Sequence, residues 1–281
     1  MANLIHTTAS EFSAITPELW SAKYIQLRRE MLPFQSIIDR SYEGEFNYGD
    51  ILNISKMPDF DDASLLAEGA QGQADAVTVE TVQLTVNSMA YKDVIVSRKA
   101  QVQSLSHMDE LRDRMIFSIL KKMEQDIIDA FVPSSSTPDH QISYTSGTTL
   151  ALADILAVQE LLLEADCPLS GRHAVLGSAQ YSDIFNLSQF VNRDFIPLGS
   201  PSPVTTGEIA APVAGFNIKL GTRVGNTSYW FHTDAMTMAV QDNLAIEAFN
   251  LGVDGTRGTR VNAQVLYGIK VLDNQKMVKL S

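Results

Sequence analysis

Between Met108 and Ile127, apolar residues recur at intervals of three and four: Met108, Leu111, Met115, Ile119, Met123 and Ile127. That spacing draws one stripe along a helix. Ser106 and Asp109 stand at capping-box spacing ahead of it, so a helix is predicted over about His107 to Phe131. At about 1.5 Å per residue it would be about 40 Å long, a structural spine. Thr16-Pro17-Glu18 marks an earlier helix start, with a hydroxyl cap, proline at the first helical position and an acid near the positive dipole end. Trp20, Tyr24, Leu27 and Met31 share one face of that helix, and Pro33 ends it. Leu150 to Ala165 is a third helix, apolar on most sides and therefore expected to be buried. Ser178 is expected to cap a fourth, running through Phe190.

Other stretches alternate instead. Val77-Thr-Val-Glu-Thr-Val-Gln-Leu-Thr-Val86 has the period of two of a half-exposed strand, and Tyr91 to Val96 continues as a second strand. Phe46 to Met57 reads as a strand pair around the Tyr48-Gly49-Asp50 turn. His173 to Leu176, Phe216 to Leu220, Ser228 to His232, Tyr267 to Leu272 and Met277 to Leu280 read as short strands, while Asn243 to Asn250 is ambiguous. Pro133 to Gly147 and Pro197 to Gly207 are Pro/Ser/Gly-rich loops, the first being the best internal boundary.

One region stands apart by its charge, and its first half shows no helical period. From Met57 to Tyr91 there is no Lys or Arg, while Asp59, Asp61, Asp62, Glu68, Asp75 and Glu80 fall within it. Its first half, Pro58 to Ala76, is small and polar. Long segments without their own core are uncommon in compact domains. This one reads as an acidic arm that reaches onto a neighbour.

Composition narrows the class without naming a chemistry. The chain has 281 residues, 45% of them hydrophobic and 19% charged, which suits a globular protein of one large domain or two smaller ones. No apolar run approaches bilayer length, and Met1 to Ser10 lacks the features of a secretory leader. The net charge of −12 argues against a dedicated reader of nucleic acid, which needs clustered cations. Cys167 is the only cysteine, so no intramolecular disulfide can form.

No catalytic, cofactor or metal site emerges. Ser118-Ile-Leu-Lys121 has the spacing of some acyl enzymes but lacks their partner motifs. Asp59, Asp61 and Asp62 resemble the start of a calcium loop, but Ser64 stands where that loop needs glycine. Gly252, Gly255 and Gly258 do not make a dinucleotide fingerprint, and a β-connection is the expected reading. His6, His107, His140, His173 and His232 are scattered; His232 is expected to be a hydrogen-bonded core residue, and Cys167 a small buried hydrophobe.

The order of these elements resembles a known family. Phe12-Ser-Ala-Ile-Thr-Pro-Glu-Leu-Trp-Ser21 with Gly44-Glu-Phe-Asn-Tyr-Gly-Asp50, then Met89-Ala-Tyr-Lys-Asp-Val-Ile-Val96 before the capped helix, then Gly215-Phe-Asn-Ile-Lys-Leu220 and Phe231-His-Thr-Asp-Ala-Met236 are the matching stretches. They resemble the major capsid protein of tailed bacteriophages, the HK97-like fold, over nearly the whole chain.

The resemblance implies an α+β chain divided into an N-terminal arm and helix (1–34), a peripheral domain (35–132 and 253–281) and an axial domain (133–252). The first part of the peripheral domain would carry an extended β-loop and the spine helix. It implies a structural protein, not an enzyme, that self-assembles into hexamers and pentamers of an icosahedral shell around double-stranded DNA. No cofactor, no membrane and no base-sequence specificity are implied. Further partners would be a portal, a decoration protein and a separate scaffolding protein or none, since the chain starts almost at its arm. Localisation would be the virion, assembled in the host cytoplasm. Some members crosslink through a lysine of the extended loop. Here Lys56 and Lys92 only flank it, so no crosslink is expected.

In the family the extended loop lies over a neighbouring subunit's peripheral domain. On the spine helix Arg114 and Lys121 fall nearly on one face, with Arg112 and Lys122 to either side. The acidic arm could land there, or these cations could pair with Asp113, Glu124 or Asp126 on their own helix. Two other classes stay open: an encapsulin-like nanocompartment shell of the same fold, and an α+β enzyme with an unrecognised site.

Overall fold

The stripe read from the sequence is the spine of the molecule. In the computed structural model, α1 (Met108–Ala130) buries Met115, Ile119, Met123 and Ile127. The structure describes residues 29–46, 49–58, 60, 62–63, 65, 69, 71–72, 74, 76–97, 108–187, 207–209, 212–250 and 258–281. The expected helix before Met31 lies largely outside them, as does Ser106. From Arg29 to Pro33 the chain is not helical, and a short 3-10 turn follows at Phe34–Ser36.

Against α1 lies an antiparallel sheet of β3 (Ser88–Ser97), β9 (Gly258–Val271) and β8 (Met236–Asn250), with β9 in the middle. Alternate residues of β9 (Val261, Ala263, Val265 and Tyr267) are buried in the α1 core. The Tyr267 hydroxyl bonds to Asp126 on the helix. β8 shifts register twice, between Val240 and Asp242 and between Asp242 and Ala245. Those irregularities break the alternation that would have marked 243–250 as strand.

A second, mixed sheet has the order β4-β10-β7-β5-β6. Its strands are β4 (Gln141–Ile142), β5 (Arg172–Leu176), β6 (Asn217–Leu220), β7 (Ser228–His232) and β10 (Met277–Leu280). Both faces of its central strands are buried. Tyr229, Phe231, Val175 and Met277 point into the core that α1 lines, where Phe34 and Phe131 meet Phe231 at ring-centroid distances of 5.7 and 5.6 Å. Trp230, Ala174, Leu176, Val278 and Leu280 point the other way, onto Ile155, Val158 and Leu162 of α2 (Leu152–Glu164).

Several expectations need correction. No strand precedes Gly49 among the described residues. β1 (Ile51–Lys56) pairs instead with the returning β2 (Glu80–Thr85), antiparallel from Ile51↔Thr85 to Lys56↔Glu80. Helix α3 (Ser178–Ile184) is capped by Gly177, and Ser178 is its first residue. Gly177 has no room for a side chain, because a Cβ would stand 1.9 Å from the Gly225 carbonyl oxygen. α2 is not buried on most sides: Leu156 and Leu163 are exposed. Past residue 257 the chain returns as β9 to pair with β8, and β10 leaves that sheet to pair between β4 and β7.

Candidate assembly surfaces

Among the described residues, the β1–β2 arm is anchored at its base. There Val86 N donates to Asp50 O at 2.8 Å, and Leu84 and Val86 are buried with Phe46 and Ala239. The base passes so close to β9 that a Cβ on Gly268 would stand 2.3 Å from the Thr85 carbonyl oxygen. Only glycine fits that crossing. Leu52 and Ile54 of β1 pack partly against the cluster at Leu84 and Val86, whereas the described apolar residues farther out lie in the open: Met57 is 74% exposed and Leu65 102%, with Phe60 exposed as well.

Of the candidate acids, Asp62 lies on the arm and is exposed. Asp59, Asp61, Glu68 and Asp75 lie outside the described residues.

The cations of α1 have partners within the chain. Arg114 Nε lies 3.0 Å from Glu110 Oε1, Lys122 pairs with Asp126, and Lys121 lies 3.8 Å from Glu30. Arg112 is exposed on the same helix. Asp113 faces Arg29 at 4.0 Å. Glu124, the third acid proposed as a partner on the helix, turns inward and accepts from Phe34 N at 3.0 Å. Burial pushes its carboxyl up to about 7, against the opposing pull of the Phe34 and Gln35 amides and the Arg223 charge. The sequence carried a signal for this inward turn: Leu120, Glu124 and Ile128 form a ridge of period four with an acid at its centre.

A second surface was missed. Met89, Tyr91 and Ile95 stand at alternate positions of β3, on the sheet face turned away from α1, and Tyr91 is 69% exposed. Phe249 of β8 is exposed across β9 from Ile95, both strands pairing there with Arg260. Arg260 and Asp93 make an ion pair in the middle of the patch. The inward positions Ala90 and Val94 pack on the α1 core. A strand apolar in both phases was the legible sign that both faces are meant to be covered.

The remaining candidates are structural. His232 is buried and accepts from Asp234 N at 3.2 Å, as a hydrogen-bonded core histidine should. His140, also buried, sets Nδ1 3.0 Å from the Met277 carbonyl. Cys167 is buried, and burial raises its thiol. Lys121, of the Ser118–Lys121 spacing, is engaged with Glu30. Among the described residues no His, Cys, Asp and Glu cluster has the arrangement of a metal site, and no helix is long and apolar enough to cross a membrane.

No protein-family model matches the sequence, and no curated protein does. Solved structures do. A chain of Mycobacterium phage Che8 is 21% identical with a TM-score of 0.78, over 96% of this chain and 98% of that one. The capsid asymmetric unit of cyanophage Pam1 gives 14% identity and a TM-score of 0.76, over 100% and 99%. The capsid of cyanophage P-SCSP1u gives 13% and 0.75, over 97% and 94%. The chain has the HK97-like capsid fold. The likeness runs nearly end to end on both chains.

Proposed function

We propose that this chain is the shell subunit of a tailed-phage head. It is a structural protein, without catalytic activity, that assembles as hexamers and pentamers into an icosahedral capsid around double-stranded DNA. The observation that carries this reading is the arm. A two-stranded ribbon with open apolar residues at its far end is marginal in water by itself and needs a second surface. Its setting within a capsid fold makes a neighbouring copy the natural supplier.

In this reading the lobe around α1 and the β3-β9-β8 sheet is the peripheral domain. The lobe around α2 points to the capsomer centre as the axial domain. The arm lies over a neighbour's peripheral domain and is held without a covalent bond. Its apolar residues supply most of the strength. Its acids steer the encounter toward Arg112, Arg114, Lys121 and Lys122, exposed pairs adding little each. With a net charge of −12 the shell holds DNA without reading bases. A portal, a decoration protein and a separate scaffolding protein are its expected partners, and the virion, assembled in host cytoplasm, its location.

Negative-stain microscopy of the purified chain tests the proposal directly. Icosahedral shells, or rings of five and six, are expected; a monomer at every concentration and salt would sink it. The contents of purified particles then separate a phage head, holding DNA, from a nanocompartment holding a packaged enzyme.

A further inference from the structure

Residues 29–34 run down the side of the spine helix in order, and Gln35 turns back toward Leu120. Arg29 lies 4.0 Å from Asp113 and over the Phe117 ring at 5.5 Å, and Glu30 lies 3.8 Å from Lys121. Gln35 Nε2 donates to Leu120 O at 2.6 Å, and Phe34 N donates to Glu124 Oε1 at 3.0 Å. Arg223 closes the strap from outside, with Nη1 donating to Lys121 O at 2.9 Å and Nε 3.4 Å from Glu30.

Most of these charged contacts are half-exposed and yield easily to solvent. Glu124 differs. It is 1% exposed, it anchors the backbone of the strap, and its second oxygen, Oε2, is buried with no hydrogen-bond partner. Negative charge on an oxygen without a donor is costly in such a site, and a proton removes that charge while Oε1 goes on accepting from Phe34.

We propose that Glu124 is a proton-operated latch on the segment leading into residues 1–28: the strap is tightest with Glu124 protonated and loosens as Glu124 ionises. The latch belongs to the single chain and stands whether or not the shell reading holds. The charged groups around the carboxyl are Arg223 on the loop after β6, Lys121 one turn back on the same helix, and Glu30 on the strap itself. Arg223 favours the ionised form, and burial outweighs it, leaving the carboxyl at about 7 against an ordinary 4.5. The sign follows by linkage. The closed strap binds a proton that the open strap, with an ordinary carboxyl, releases. Closure is therefore fully favoured below about 4.5, is lost as pH rises through about 7, and changes no further above it.

Hydrogen exchange of the Phe34 and Gln35 amides in the full chain, corrected for the intrinsic pH dependence of exchange, reads the latch. Wild-type protection should fall more than about tenfold between about pH 5 and about pH 7.5. Glu124→Gln keeps the shape and the acceptor and should show no such slope. A flat wild-type profile, or an unchanged slope in Glu124→Gln, would overturn the proposal. Should that variant fail to fold, infrared spectroscopy of the wild type decides alone. A protonated carboxylic acid must persist at about pH 6, where exposed carboxyls are ionised, and titrate away near 7. Absence of that band sinks the latch.

Discussion

The five-stranded sheet and the β1–β2 arm are both built from short strands of β-branched and apolar residues alternating with others, yet they end in opposite circumstances. In β7, Tyr229 and Phe231 are buried on one face and Trp230 on the other. In β1, Ile51 stands exposed, while Leu52 and Ile54 on the other face are only partly buried against the small cluster at Leu84 and Val86. Alternation makes a strand possible, but what lies above and below decides whether the chain can hold it alone. The first sheet draws its stability from within the chain. The arm has to obtain it elsewhere.

The sharpest way to break this comparison is to truncate one side chain in each region. Phe231→Ala removes a ring that packs between Phe34 and Phe131, and should cost about 3–5 kcal/mol in chemical denaturation of the unassembled chain. Leu65→Asp should leave that denaturation curve within about 0.5 kcal/mol of wild type while abolishing or crippling assembly, seen by light scattering. If Leu65→Asp instead unfolded the chain, the arm would not be a free element.

Gly268→Ala sits between the two regimes. Its methyl would be driven into the Thr85 carbonyl, so a loss of about 1–3 kcal/mol is expected, with proteolytic nicking at the arm base rising in parallel. On β3, Tyr91→Asp should leave the folded chain nearly unchanged and weaken particles measured by size-exclusion chromatography. An unaffected yield would remove the outer sheet face from the assembly surfaces. The smallest effect belongs to Arg114→Glu with Lys121→Glu. Stability should change by under about 1 kcal/mol, since both side chains serve only partly exposed pairs, while assembly slows and loses part of its salt dependence. Unchanged kinetics across a salt series would discard steering by the spine helix.

Much of the frame was legible because it depends on local period. The stripe from Met115 to Ile127 needed only the helical repeat, and Val77 to Val86 only the strand repeat. What escaped was set by distant partners. Nothing within Met277–Leu280 tells that it pairs with β4 and β7 and not with β8 or β9. The double register shift hid the strand character of 243–250. Leu150–Ala165 reads as buried because it is apolar on most sides. Composition cannot distinguish a face covered by the chain from one left open, and Leu156 and Leu163 are left open. For the candidate site, the cations of α1 were correctly placed on a helix. Their partners Glu110 and Glu30, and the inward turn of Glu124, required the fold.

The five-stranded sheet has a further mechanical consequence. Successive residues of β7 and β10 belong to different cores, so the sheet acts as a party wall and not as a seam. A wall of this kind cannot be loosened from one side alone, because shifting Phe231 drags Trp230 with it. Force applied to one lobe is carried through the strands into the other, and the body should yield in a single step under load. The arm stands outside that wall, meeting the body at the small cluster around Leu84 and Val86 and at the tight crossing of Thr85 over Gly268.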